Sequence, residues 1–146
     1  MRKALLSATL VSAAAILASP VLAQDNSGRR FTVTLEGEQE VGPAGGDLDG
    51  TGTATLRINP GQGQLCYTIR VSGIAPARAA HIHEAPAGTN GPVIITLNAP
   101  TSGTSSGCVT VTRELALEII KDPADYYVNV HNREFPAGAL RGQLDR

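Results

Sequence analysis

Two nine-residue runs, Thr51 to Asn59 and Gln64 to Ser72, alternate apolar and polar side chains on either side of Pro60-Gly61-Gln62-Gly63. In the first run Ala54, Leu56 and Ile58 share one face, and Thr53, Thr55 and Arg57 share the other. In the second, Leu65, Tyr67, Ile69 and Val71 oppose Cys66, Thr68 and Arg70. A period of two belongs to a strand with one buried face and not to a helix. The Pro/Gly-rich turn between the runs joins them as a hairpin. The core this pattern demands has few large side chains to draw on. There is no Trp, and the two Phe are Phe31 and Phe135. Val, Ile, Leu and Ala must supply most of the buried volume, and a stacking platform for sugars or bases is not expected.

The same pattern extends along the chain. Strands are expected at Phe31 to Leu35, through Ala80-His81-Ile82-His83-Glu84, at Val93 to Leu97, from Cys108 to Val111, at Tyr126 to His131, and from Ala139 to Leu144. Loops rich in turn residues separate them, among them Gly42 to Gly50, Glu84 to Pro92 and Ala99 to Gly107. One segment departs from the pattern. Arg113 to Lys121 carries Leu115, Leu117, Ile119 and Ile120 among good helix formers, with Thr112 as N-cap and Pro123 as the stop. Seven or eight short strands with one short helix give an all-β fold. The expected form is a Greek-key antiparallel β-sandwich or barrel, superoxide-dismutase-like or immunoglobulin-like.

The first 23 residues read as a signal peptide: basic Arg2 and Lys3, an apolar run from Ala4 to Ala18, and Val21-Leu22-Ala23 before the cleavage point. The run is short for a membrane span, so no membrane association is expected after cleavage. Residues 24–30 read as a flexible lead-in and 31–146 as a single domain. Removing Arg2 and Lys3 leaves ten basic against thirteen acidic residues, a net charge of −3. With no basic run, nucleic acid is not an expected partner. In a secreted or periplasmic chain the two cysteines, Cys66 and Cys108, read as a disulfide, with a Cys/His metal site as the alternative.

The candidate site rests on three histidines, all there are in the chain. Alternation places His81 and His83 on one strand face, with Ala80, Ile82 and Glu84 on the other. His131 ends another strand. If the two strands are neighbours, three imidazoles converge on a copper or zinc site, because neutral nitrogen donors suit both metals. Tyr127 shares the face of His131 and is a candidate for a further position. The opposing reading is structural, with each imidazole hydrogen-bonded to a backbone carbonyl and fixing a loop. Arg141 is either a ligand anchor or a structural group, pairing with Glu84 or holding loop carbonyls; the second is preferred. Asn132 is read as a turn cap and Phe135 as a plug over the core. No nucleophile elbow, paired carboxylates or cofactor fingerprint is present, so catalysis is not the expectation.

Taken together, several segments resemble the CHRD domain, named for repeats in the animal protein chordin and common as a lone exported domain in bacteria. They are His81-Ile82-His83 followed by Gly91-Pro92, then Tyr127-Val128-Asn129-Val130-His131-Asn132, then Pro136-Ala137-Gly138-Ala139-Leu140-Arg141-Gly142-Gln143-Leu144. The opening Leu35-Glu36-Gly37-Glu38-Gln39-Glu40-Val41-Gly42-Pro43 also fits, so the resemblance spans about residues 31–145. Ala139-Leu140 stands where that family usually has an acidic-aliphatic pair, and Asn132 where a hydroxyl residue is common. The resemblance implies an all-β fold without established enzymatic activity. In chordin these domains belong to an extracellular binder of growth factors; that role does not carry over to a lone domain whose partner the sequence does not reveal, and an extracellular protein partner of unstated identity is one expectation here. A weaker echo is His-x-His-Glu, which looks like the copper strand of copper/zinc superoxide dismutases. That two-metal site needs six histidines and an aspartate, so three histidines exclude it. The expectation is an exported, non-catalytic binding domain with a candidate copper or zinc site at His81, His83 and His131. The rivals are a copper-dependent redox enzyme resembling superoxide dismutase and a metal-free interaction module.

Overall fold

A computed structural model describes residues 28–146, so the proposed signal peptide lies outside the described residues. Eight strands form one sheet: β1 Arg29–Glu36, β2 Thr51–Asn59, β3 Gln64–Ser72, β4 Ala79–Glu84, β5 Val93–Leu97, β6 Thr104–Thr110, β7 Tyr126–His131 and β8 Leu140–Gln143. Their order is β5-β4-β7-β8-β1-β2-β3-β6, and every neighbouring pair is antiparallel. The sheet curls into a nearly closed barrel, so of the two all-β forms expected, the barrel is the one found. Around it, β6 and β5 lie between β3 and β4. The β3–β4 and β6–β7 connections therefore pass across strands, the mark of a Greek key.

The hairpin register follows from the alternation. Leu56 faces Tyr67 and Ala54 faces Ile69 across β2 and β3, which puts both apolar sets inside the barrel. Phe31, Val33 and Leu35 of β1, Ile82 of β4, and Val128 and Val130 of β7 join the same core. The remaining gap lies between β5 and β6. There the Tyr67 hydroxyl accepts from the Asn98 N–H at 2.7 Å, and Asn98 Nδ2 donates to the Ser106 carbonyl at 3.4 Å. Gly107 makes room for this, since a Cβ there would press on the Tyr67 phenol. The helix α1, Arg113–Lys121, starts at Thr112, whose hydroxyl accepts from Leu115 N, and buries Ala116 and Ile119 against the core.

Three local expectations change. β6 begins at Thr104, inside the expected Ala99 to Gly107 loop, because Thr104-Ser105-Ser106-Gly107 has no apolar period. Pairing with β3 needs only its backbone groups. β1 begins at Arg29 and so takes in the last two residues of the expected lead-in, with Arg29 and Arg30 opposite Ile58 and Arg57. Phe135 is half-buried and outside the apolar core, because its turn lies over the polar outer face of β7. Cys66 and Cys108 face each other across β3 and β6 and are joined as a disulfide.

Candidate metal centre

The outer face of β4, β7 and β8 is polar yet covered. Tyr126, Val128 and Val130 of β7 enter the core, so Tyr127, Asn129 and His131 point outward. Across the ladders, His83 stands opposite Tyr127, His81 opposite Asn129, and Arg141 opposite Asn129 on the other side. Three loops close over this face. Residues 132–139 bring the Pro136 carbonyl to His131, residues 85–92 bring Gly91 to His83 and Tyr127, and the segment after β1 brings Glu40 to Asn129.

The three imidazoles meet. One nitrogen from each of His81, His83 and His131 lies within 4.8 Å of the others. The hydrogen bonds fix the tautomers, because a carbonyl oxygen only accepts. His83 Nδ1 therefore donates to the Gly91 carbonyl at 2.9 Å, and His131 Nδ1 donates to the Pro136 carbonyl at 3.1 Å. In the neutral ring each then has its lone pair on Nε2. His131 Nε2 accepts from His81 Nδ1 at 3.1 Å. His83 Nε2 is buried and has no hydrogen-bond partner among the described residues. Backbone carbonyls on the far nitrogen are how metal-ligating histidines are commonly oriented.

The donor set suits a metal in spacing as well. Two nitrogens at about 2.0–2.1 Å on a tetrahedral ion sit roughly 3.3 Å apart. The His81–His131 pair is already at 3.1 Å. The widest separation in the trio has to close by up to about 1.5 Å to reach that spacing. His81 would ligate through Nδ1 by carrying its proton on Nε2. Burial holds the pKa values of His81 and His131 below the ordinary imidazole value, with the charge of His83 adding to the effect; for His131 the Pro136 hydrogen bond opposes it. Both shifts favour the neutral ring that a metal requires.

Tyr127 is not one of the converging groups. Its ring stacks on His83 with centroids 4.7 Å apart and planes 8° apart, and its hydroxyl accepts from Gly91 N at 3.2 Å. Glu84 is exposed, as alternation predicts. Arg141 is 1 % exposed and lies over the other face of Tyr127, 3.5 Å from the ring centroid. It donates to the carbonyls of Pro86 (3.2 Å) and Thr89 (2.9 Å), to Asn90 Oδ1 (3.2 Å) and to Gln143 Oε1 (3.3 Å). It thus holds loop carbonyls, the preferred sequence reading, and makes no ion pair with Glu84 among the described residues. Asn132 caps its turn by accepting from Phe135 N at 2.7 Å.

The family model described as the CHRD domain matches residues 31–144. This chain belongs to the CHRD family. No curated protein and no solved structure gives a match to it. The matched span of the CHRD domain takes in all eight strands but the first two residues of β1, together with the histidine cluster and its three covering loops.

Sequence reading overlooked Glu40, Asn129 and Gln143. Asn129 is 3 % exposed; its Nδ2 donates to the Glu40 carboxylate, and its Oδ1 is buried without a partner among the described residues. Gln143 Nε2 reaches the carbonyls of Ala85 and Ala124 at 2.9 and 2.7 Å. The available signal was alternation. Tyr127-Asn129-His131 and Arg141-Gln143 place polar groups on one face of two adjacent strands, which is unusual for strands this buried.

Proposed function

We propose that this CHRD protein is an exported, non-catalytic binding domain that holds a copper or zinc ion on His81, His83 and His131. The observation that carries the reading is the buried, unpartnered Nε2 of His83 beside two further imidazole nitrogens. A buried acceptor left unpaired costs about 1–3 kcal/mol, and a metal would remove that cost. The Gly91 and Pro136 carbonyls hold the rings of His83 and His131, and three neutral imidazoles leave a further position on a four-coordinate ion for water or another donor. Export is supported by the signal-like first 23 residues and by the Cys66–Cys108 disulfide, which persists in oxidising compartments.

The test is metal content of the mature protein, purified without a histidine tag, after loading with copper or zinc and desalting. About one ion per chain in the parent and none in a His81→Ala/His83→Ala variant is the expected result. No retained ion in the parent would overturn it. A second reading has its own observation. The same three histidines tie β4 and β7 to two loops through the Gly91 and Pro136 carbonyls, which a metal-free interaction module also needs. That reading predicts unchanged thermal stability on metal addition, whereas binding at 100 times Kd would add about 2.7 kcal/mol.

A further inference from the structure

We propose that Arg141 is a positioning residue for the histidine cluster. By pinning the segment from Pro86 to Gly91 it holds the Gly91 carbonyl on His83 Nδ1, and so keeps the His83 lone pair on Nε2. Two routes run from Arg141 to the same imidazole. The first is a stack: the guanidinium lies on one face of Tyr127, and His83 lies parallel to the ring at 4.7 Å. This route sets the plane of the His83 ring. The second is the loop: Arg141 fixes Pro86, Thr89 and Asn90, three of the five residues that lead into Gly91. Gly91 then donates to the Tyr127 hydroxyl through its N–H and accepts from His83 through its carbonyl. This route sets the tautomer. Gly91 itself admits no other residue, because a Cβ there would overlap the Glu84 carbonyl oxygen.

A role in covering the barrel alone does not account for a guanidinium at this place. Arg141 is 1 % exposed, and no carboxylate lies within salt-bridge distance of it among the described residues. Burying a cation without a contacting anion is costly, and an apolar side chain of similar volume covers a sheet at least as well. What an apolar side chain cannot do is donate to several carbonyls of one loop at once, which the planar fork of arginine does. The arrangement is that of an outer partner which orients a ligand without touching the ion. Its consequence for affinity rests on the metal reading above; its effect on His83 does not.

The experiment therefore begins with metal-free protein. Histidine-ring 15N NMR of the parent is expected to show His83 as a single Nδ1–H tautomer. Arg141→Met keeps the bulk and removes the donors. It is expected to give a mixture of tautomers at His83, while the far-UV circular dichroism and the amide dispersion stay those of the parent. Zinc affinity, read by competition with a chromophoric chelator, is expected to fall about 10–100-fold. A folded Arg141→Met with His83 still wholly Nδ1–H would overturn the proposal. If that variant does not fold, Asn90→Ala decides. It removes one Arg141 partner from an exposed residue and is expected to move His83 the same way by a smaller amount. No change at His83 there would also overturn the proposal. A parent that binds neither zinc nor copper refutes the metal reading alone, and the tautomer result still decides the role of Arg141.

Discussion

Glu40→Gln probes the covered polar face most directly. Burial pushes the Glu40 carboxyl up from 4.5 to about 7, outweighing the opposite pulls of the Arg141 charge, the Asn129 amide and the Val41 backbone. The unfolded chain returns it to about 4.5. Below that pH both states are protonated and the folded state bears no penalty. As pH rises from 4.5 through 7 the unfolded chain releases its proton first, so stability is lost. The interval corresponds to about 3 kcal/mol at 1.36 kcal/mol per pH unit, and screening at a partly exposed group reduces this to about 2 kcal/mol. Glutamine reproduces the neutral form at every pH, and its amide can serve the unpartnered Asn129 Oδ1. Urea unfolding of parent and variant should coincide near pH 4, and at pH 8 the variant should be more stable by about 2 kcal/mol, a midpoint shift of roughly 1–2 M. His81 and His131 act in the reverse sense. With folded values held below the ordinary one, their contribution is present above 6.5 and lost as pH falls. Both proteins carry them, so the difference curve isolates Glu40. A difference that does not change with pH, or a parent that is the more stable at pH 8, would refute the reasoning.

Two further outcomes are expected. Replacing both Cys66 and Cys108 with Ala opens a loop whose ends are 42 residues apart, and denaturation should show a loss of roughly 4 kcal/mol, while a loss under 1 kcal/mol would show that the reduced chain is already constrained. Tyr67→Phe removes the acceptor for the Asn98 N–H at the β5–β6 gap; it should cost about 1 kcal/mol and speed hydrogen exchange at Asn98 ahead of its neighbours, and unchanged exchange there would mean the gap is closed by other contacts.

Where side chains alternate strictly, the sequence carried the fold. β2, β3 and β7 and the helix at Arg113–Lys121 have the bounds that periodicity and capping residues suggest, because those signals are local and each has one geometric solution. β6 was only half legible. Its Thr-Ser-Ser-Gly start carries no burial pattern, and what makes it a strand is the free edge of β3. The candidate site divides in the same way. That His81 and His83 share a face follows from a period of two. That His131 joins them depends on β4 pairing with β7, which are separated in sequence by β5, β6 and the helix.

The sequence by itself determined an all-β chain with an aliphatic core and the family to which it belongs. These are properties of local pattern and ordered motifs. Only the tertiary structure decided which imidazole nitrogen is free, what Arg141 holds, and why a glutamate was placed beside Asn129. The last two depend on contacts between segments 51 and 89 positions apart in the chain, and the first on the meeting of His81 with His131, 50 positions apart, together with the nearby Gly91 and Pro136 carbonyls. Hydrogen bonds across such separations leave no periodic trace, because the residues that make them are chosen one at a time by the geometry of the covered face.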